Sequence, residues 1–280
     1  MKIRINGTDA DIQLEAEQNV GEILCALDSW LNGTGHRLSG LSIDGETADA
    51  DSMEACFGRN IDAIDALDIT TRSILDLFAE SLFHTMQDIA LYEAADFEEK
   101  SLFAEQWKQS PQALLLVEQT PDLFDWAVKT FSGEGFNPQN FRLLLEERFR
   151  ELQDPAAEIS RVGPLIDEVC ARLEEFSLDV QTGKDARAAE TVRTFSGIAE
   201  KLFRVFNVLK IQGFPVGEII VENNSITAYI AEFSTALREL LAAYEQHDTV
   251  LVGDLAEYEM APRLRNLYAA VLNAITRREP

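Results

Sequence analysis

The stretch "MKIRINGTDADIQL", Met1 to Leu14, decides how the N-terminal quarter of the chain is read. Lys2 to Asn6 alternates, with Ile3 and Ile5 on one face, and Ala10 to Glu15 alternates with Ile12 and Leu14 on one face. Successive side chains of a strand point to opposite faces, so each run predicts a half-buried strand. Between them Asn6-Gly7-Thr8-Asp9 carries turn chemistry, because Asn and Gly tolerate positive φ. The reading is a hairpin.

Working outward, Asn19 can cap a helix whose apolar stripe is Val20, Ile23, Leu24, Leu27 and Leu31, at helical spacing. "NGTG", Asn32 to Gly35, ends it. Leu41 and Ile43 alternate in a third strand closed by Asp44-Gly45, and Ala66 to Thr71 gives a fourth with Leu67 and Ile69 inward. Hairpin, helix, strand, irregular crossing and strand, over residues 1–73, resembles the β-grasp domains of ubiquitin-like and small sulfur-carrier proteins. Carriers of that kind act through a free Gly-Gly tail after the last strand. Here Thr70-Thr71-Arg72-Ser73 runs straight into "ILDLFAESLF". The resemblance therefore implies a recognition or packing module.

Residues 74–153 read as a middle region of helices. Ser73 can cap the first, with a stripe of Leu75, Phe78, Leu82, Met86 and Ile89. "SPQALLLVEQ" and "TPDLFDWAVKTF" both read as cap, Pro at the first helical position, helix. Asn137 can cap a further helix running to about Gln153. Phe124, Trp126, Phe131 and Phe136 fall in a short span. They read as a local core between short helices or as an aromatic patch that docks a partner.

Asp154-Pro155 marks the start of a third region, 154–280. Val162, Ile166, Val169, Leu173, Phe176 and Val180 form one stripe; Ala188, Val192, Phe195, Ala199, Leu202, Phe206 and Leu209 a second. A third runs through Ile219, Asn223, Ile226, Ile230, Phe233, Leu237, Leu240 and Tyr244. Leu264, Tyr268, Val271 and Ile275 mark a fourth. Alternating steps of three and four average about 3.5 residues and keep one seam facing its neighbours. Short links make neighbours antiparallel, so the expectation is an up-down-up-down four-helix bundle. Asn223 sits on the seam, where it sets register or lies in water at the helix start. Pro262 predicts a kink, because it removes a backbone bond and clashes with the carbonyl of Tyr258. Just before it, "VLVGDLAEYEMAP" places Asp254, Glu257 and Glu259 in an apolar helix: a solvated face, or an acidic groove for a basic partner segment. Glu259 can pair with Arg263 one turn on.

The formal net charge is −25, which repels phosphate backbones and anionic headgroups; nucleic acid and membranes are not expected partners. The longest apolar runs, such as "ALLLV" at Ala113 to Val117, fall far short of the roughly 20 residues of a membrane span. No secretory signal is visible, and Cys25, Cys56 and Cys170 fit reduced thiols, so the expected location is cytoplasmic.

Catalytic motifs are absent: no P-loop, G-x-G-x-x-G after a strand, G-x-S-x-G or C-x-x-C occurs. His36, His84 and His247 have no zinc-ligand spacing with a cysteine. Glu80, His84 and Asp88 at i, i+4 and i+8 offer one metal-carboxylate candidate, in a single copy. No catalytic residue, cofactor or metal site is assigned.

The fold class is thus α+β, a β-grasp head followed by helices that end in a four-helix bundle. The plan resembles uncharacterised bacterial proteins that join such a head to helical hairpins, and the hairpins are similar to flagellar export chaperones. That resemblance implies a chaperone-like role. The expected function is a non-enzymatic adaptor, scaffold or chaperone that binds a polypeptide through its helical surface. Its candidate contacts are Asp254, Glu257, Phe124, Trp126, Phe131 and Phe136. The alternatives are a homo-oligomer with a seam at "FRVFNVLKIQGF", Phe203 to Phe214, and a metal-carboxylate enzyme.

Overall fold

The computed structural model describes residues 1–277 apart from 13, 15, 32, 50 and 51. The readings that involve Glu15 and Asn32 therefore lie outside the described residues. The chain divides into two compact units, Met1–Phe149 and Arg150–Pro280.

In the first unit, β1 (Lys2–Ile5) turns through Asn6 and Gly7, at φ 51° and 79°, into β2 (Thr8–Asp9). Positive φ at both central residues matches the twist of the strands, which is why Asn-Gly stands there. The second strand is shorter and earlier than its alternation predicts: it lies within the stretch read as the turn, and Ala10, Asp11, Ile12 and Leu14, expected in the strand, are in none. The turn sets Ile5 against Thr8 and Arg4 against Asp9, and Ala10 N–H bonds the carbonyl of Ile3 at 2.9 Å. β1 is only four residues long, so its pairing partners are used up there, and Ile12 and Leu14 continue outside regular structure.

The helix α1 (Val20–Leu31) follows, capped by Asn19, whose side chain accepts from Glu22 N–H at 3.0 Å. β3 (His36–Ile43) and β4 (Glu46–Thr47) form a hairpin around Asp44-Gly45. The third strand thus starts earlier than Leu41 and gains a partner. Asp44 Oδ1 accepts from the N–H of Asp65 and of Ala66, each at 2.8 Å. The Ala66 bond, with help from Asp65 and Arg59, holds the Asp44 carboxyl below its usual range. A short helix α2 (Met53–Phe57) leads to β5 (Ala66–Ser73). The sheet is mixed, in the order β2-β1-β5-β3-β4, with β1 parallel to β5. Val20, Ile23, Leu24, Leu27 and Leu31 bury against Ile3, Leu41, Ile43, Leu67 and Ile69.

β5 passes directly into α3 (Ile74–Ala94), with Ser73 Oγ accepting from Leu75 N–H at 3.2 Å. Then come α4 (Phe97–Trp107), α5 (Pro111–Gln119), α6 (Pro121–Phe131) and α7 (Pro138–Gln153). Arg72 pairs with Glu80 at 2.8 Å and Arg37 pairs with Glu118 on α5. These ion pairs tie the sheet to the helices of its own unit.

The second unit holds α8 (Pro155–Glu174), α9 (Phe176–Gln181), α10 (Asp185–Ile211), α11 (Ile226–Glu245), α12 (Thr249–Asp254) and α13 (Ala261–Thr276). Lys201 on α10 reaches Glu158 near the start of α8, while Arg187 reaches Glu175 at its end. Cys170 donates to Ala261 O at 3.4 Å, and Gly163 lies against Tyr268. Both pairs of helices, α8 with α10 and α8 with α13, are therefore antiparallel. Three stripes are buried as spaced, with Val180, Val192 and Tyr268 partly so. The remaining one is corrected. Ile219 to Asn223 is no helix: β6 (Ile220–Val221) and β7 (Asn224–Ser225) form a small hairpin, and Glu222 and Asn223 turn it at φ 50° and 70°. Asn223 is exposed in that turn. Ser225 then caps α11, accepting from Ala228 N–H at 3.3 Å.

Candidate partner-binding surfaces

The acidic stretch before Pro262 is built from its cap upward. Asp248 accepts from Leu251 N–H at 3.0 Å and starts α12. Val252, Ala256, Met260 and Leu264 recur every four residues and are buried in the bundle core. From Leu255 to Met260 the helix is a π turn, and Pro262 lies in the first turn of α13. Proline lacks the N–H that an α-helix would send back one turn, and a widened turn before it absorbs the lost bond. The outer face is left with Val250 at 68%, Leu251 at 45% and Tyr258 at 66% exposure, together with exposed Asp254. Glu257 is half-buried; it accepts a hydrogen bond from the Tyr258 phenol and pushes the phenol's pKa up. Glu259 accepts from Arg263 Nε at 2.8 Å, the pairing its spacing predicts, and Arg263 also lies 3.5 Å from Glu232.

The aromatic span is drawn together, and mostly inward. Phe131 is fully buried among Tyr92, Phe103 and Trp107, with ring centroids 5.5, 5.0 and 5.2 Å away. Phe124 packs on Trp107 at 5.7 Å, and Trp126 stacks on Phe136 at 5.8 Å. Offset and edge-on contacts of this kind stabilise a core beyond the area they bury. Phe124, Trp126 and Phe136 keep one edge toward solvent. In the Phe203 to Phe214 stretch, Val205, Phe206, Val208 and Leu209 are buried, and Phe203 and Phe214 pack against the same core.

Glu80, His84 and Asp88 do not converge. Glu80 is engaged by Arg72, and Asp88 accepts from Trp107 Nε1 at 3.0 Å and Gln112 Nε2 at 2.8 Å. His84 is exposed beside Phe83. Among the described residues no three His, Cys, Asp or Glu side chains are placed to hold a metal ion. Cys170 is buried, and desolvation pushes its thiol up to about 11, which suits a core residue. No helix among the described residues is long and apolar enough to cross a membrane.

The most exposed of the aromatics that sequence reasoning did not single out are Trp30 and Phe97. Trp30 on α1 is 63% exposed and Phe97 at the start of α4 is 88% exposed. For Trp30 the signal was available: it falls off the stripe of Val20, Ile23, Leu24, Leu27 and Leu31.

With these surfaces in place, the chain can be set beside known proteins. Residues 1–73 match the family described as the TP0873 N-terminal domain. Residues 158–270 match a domain of unknown function, DUF8042. An uncharacterized protein of Treponema pallidum (strain Nichols) is 33% identical over 103 residues, which is 37% of this chain and 51% of that protein. The chain thus spans about half the length of that relative. No solved structure matches.

Proposed function

We propose that this chain is a non-enzymatic interaction protein, an adaptor, scaffold or chaperone, that binds a polypeptide on the outer face of α12 and the π turn. One observation carries the reading. Val250, Leu251 and Tyr258 stand exposed on a helix whose inner face is already sealed by Val252, Ala256 and Met260. Asp254 and Glu257 border them. Apolar anchors bordered by acids fit an amphipathic segment that carries Lys or Arg, the helix-surface mode of recognition. π turns recur at functional sites, which favours this end of the bundle over its regular helices.

The head is read as a β-grasp module on its strand order, its parallel β1–β5 pair and its single covering helix. A cytoplasmic setting is supported by three free cysteines, of which Cys25 is exposed.

The test is affinity capture from native lysate on the full chain, beside a chain carrying Asp254→Lys and Tyr258→Ser. A stoichiometric polypeptide held by the first and lost by the second, with both melting alike, is the expected result. A partner that stays on the double variant, or none on either chain, overturns the proposal.

A further inference from the structure

We propose that the head carries a second docking groove, between the β1–β2 hairpin and α1, for an extended polypeptide segment whose apolar anchors are flanked by Lys or Arg. The inference does not rest on the α12 reading; it uses a different unit and different residues.

The groove encloses about 500 Å³. Its apolar lining comes from Ile5, Ile12 and Leu14 on the strand side and from Ile23, Leu27 and Trp30 on α1. Ile12 and Leu14 are 37% and 36% exposed and Trp30 is 63% exposed. Large apolar side chains gathered in one concavity mark an interaction site more strongly than the same residues scattered.

Charge selects the occupant. Asp11 and Glu17 line the groove. From Ile5 to Gly35 the sequence holds six acids (Asp9, Asp11, Glu15, Glu17, Glu22 and Asp28) and no Lys or Arg. Arg4, the nearest preceding cation, alternates onto the opposite face of the sheet and pairs there with Asp68 at 2.7 Å. The charged residues of the lining therefore have one sign, which raises the local concentration of cationic segments and repels acidic ones, phosphates and anionic lipid. The exposed indole face of Trp30 adds a place for a guanidinium to stack. Backbone geometry selects an extended segment. β2 is the outermost strand on this side of the sheet and pairs with β1 alone, so its outer edge can accept one more strand.

The experiment selects binders to the full chain from a phage-displayed library of random dodecapeptides. Enriched peptides are then measured by fluorescence anisotropy at low and high salt. The proposal expects a consensus of apolar residues alternating with Lys or Arg. Binding should weaken about tenfold on Trp30→Ser or Ile12→Ser and fall with salt. It should be unchanged by the Asp254→Lys and Tyr258→Ser pair, which separates this groove from the α12 face. Asp11→Lys, a surface change that spares the core, should weaken basic peptides and not neutral ones. An acidic or purely polar consensus, no enrichment, or affinity indifferent to Trp30→Ser overturns the proposal. So does a dimer of the chain that Trp30→Ser dissolves, because the groove would then be occupied by a second copy.

Discussion

In the bundle, Glu158 is 2% exposed and still charged: Lys201 Nζ donates to it at 2.8 Å, Arg161 donates to it, and Arg150 lies 3.4 Å away. Glu151, also 2% exposed, takes two bonds of 3.1 Å from Arg204. Asp179 lies between Lys184 at 3.3 Å and Arg187 at 3.1 Å. In the head, by contrast, Asp11 and Glu17 line an apolar groove, and the stretch of sequence from 5 to 35 holds no Lys or Arg. A carboxylate taken out of water must find partners or lose its charge, so Glu151, Glu158 and Asp179 belong to the fold. A solvated carboxylate needs no partner, so exposed Asp11 can act on something outside the molecule. The difference teaches that a net charge of −25 divides into a structural part and an available part, and burial draws the line.

The largest effect tests the structural part. Glu158→Ala should cost about 2 kcal/mol, because partly buried Lys201 loses its 2.8 Å partner and keeps Glu151 at 3.8 Å. Chemical denaturation of the full chain measures it. An effect below about 0.5 kcal/mol would place Glu158 with ordinary surface acids and erase the contrast.

Acid should act through the same residue. Burial works against the Glu158 charge, but hydrogen bonds from Lys201 and Arg161 outweigh it and set its pKa below the usual 4.5. A depressed carboxyl pKa stabilises the folded state fully above the unfolded value, and that contribution is lost as pH falls through the lowered one. Thermal melts between neutral pH and the acid range should therefore show a loss below about pH 4.5 that shrinks in Glu158→Gln.

The smallest effect tests the available part. Asp11→Asn together with Asp28→Asn should shift stability by no more than about 0.5 kcal/mol, and upward if at all, since like charges are removed. A loss above about 2 kcal/mol would mean that the head's acids are also structural.

Much of this architecture is legible locally. Asn19, Ser73, Ser110 and Asn137 each accept from a backbone N–H at the helix start where their sequence places them, whereas the Thr120 side chain makes no such bond. A cap satisfies donors within the next few residues, so its signal is short-ranged. The shortened second strand and the Ile220–Ser225 hairpin escaped for the opposite reason. Ile12 and Leu14 alternate correctly, but a strand also needs a neighbour, and β1 supplies none beyond the partner of Ala10. Ile219 and Asn223 match bundle spacing, yet Glu222-Asn223 takes a two-residue turn that spacing does not register.

The sequence alone determined the α+β class, the stripes that became the two cores, the Glu259–Arg263 pair and the acidic total, because period, capping and composition are properties of neighbouring residues. Tertiary structure decided what surrounds the aromatic side chains. It folded Phe131 inside a ring of aromatics, left Tyr258 outside on a widened turn, and set Trp30 over a groove. A ring of aromatics or a groove depends on what long-range packing brings opposite each side chain, which local spacing does not carry.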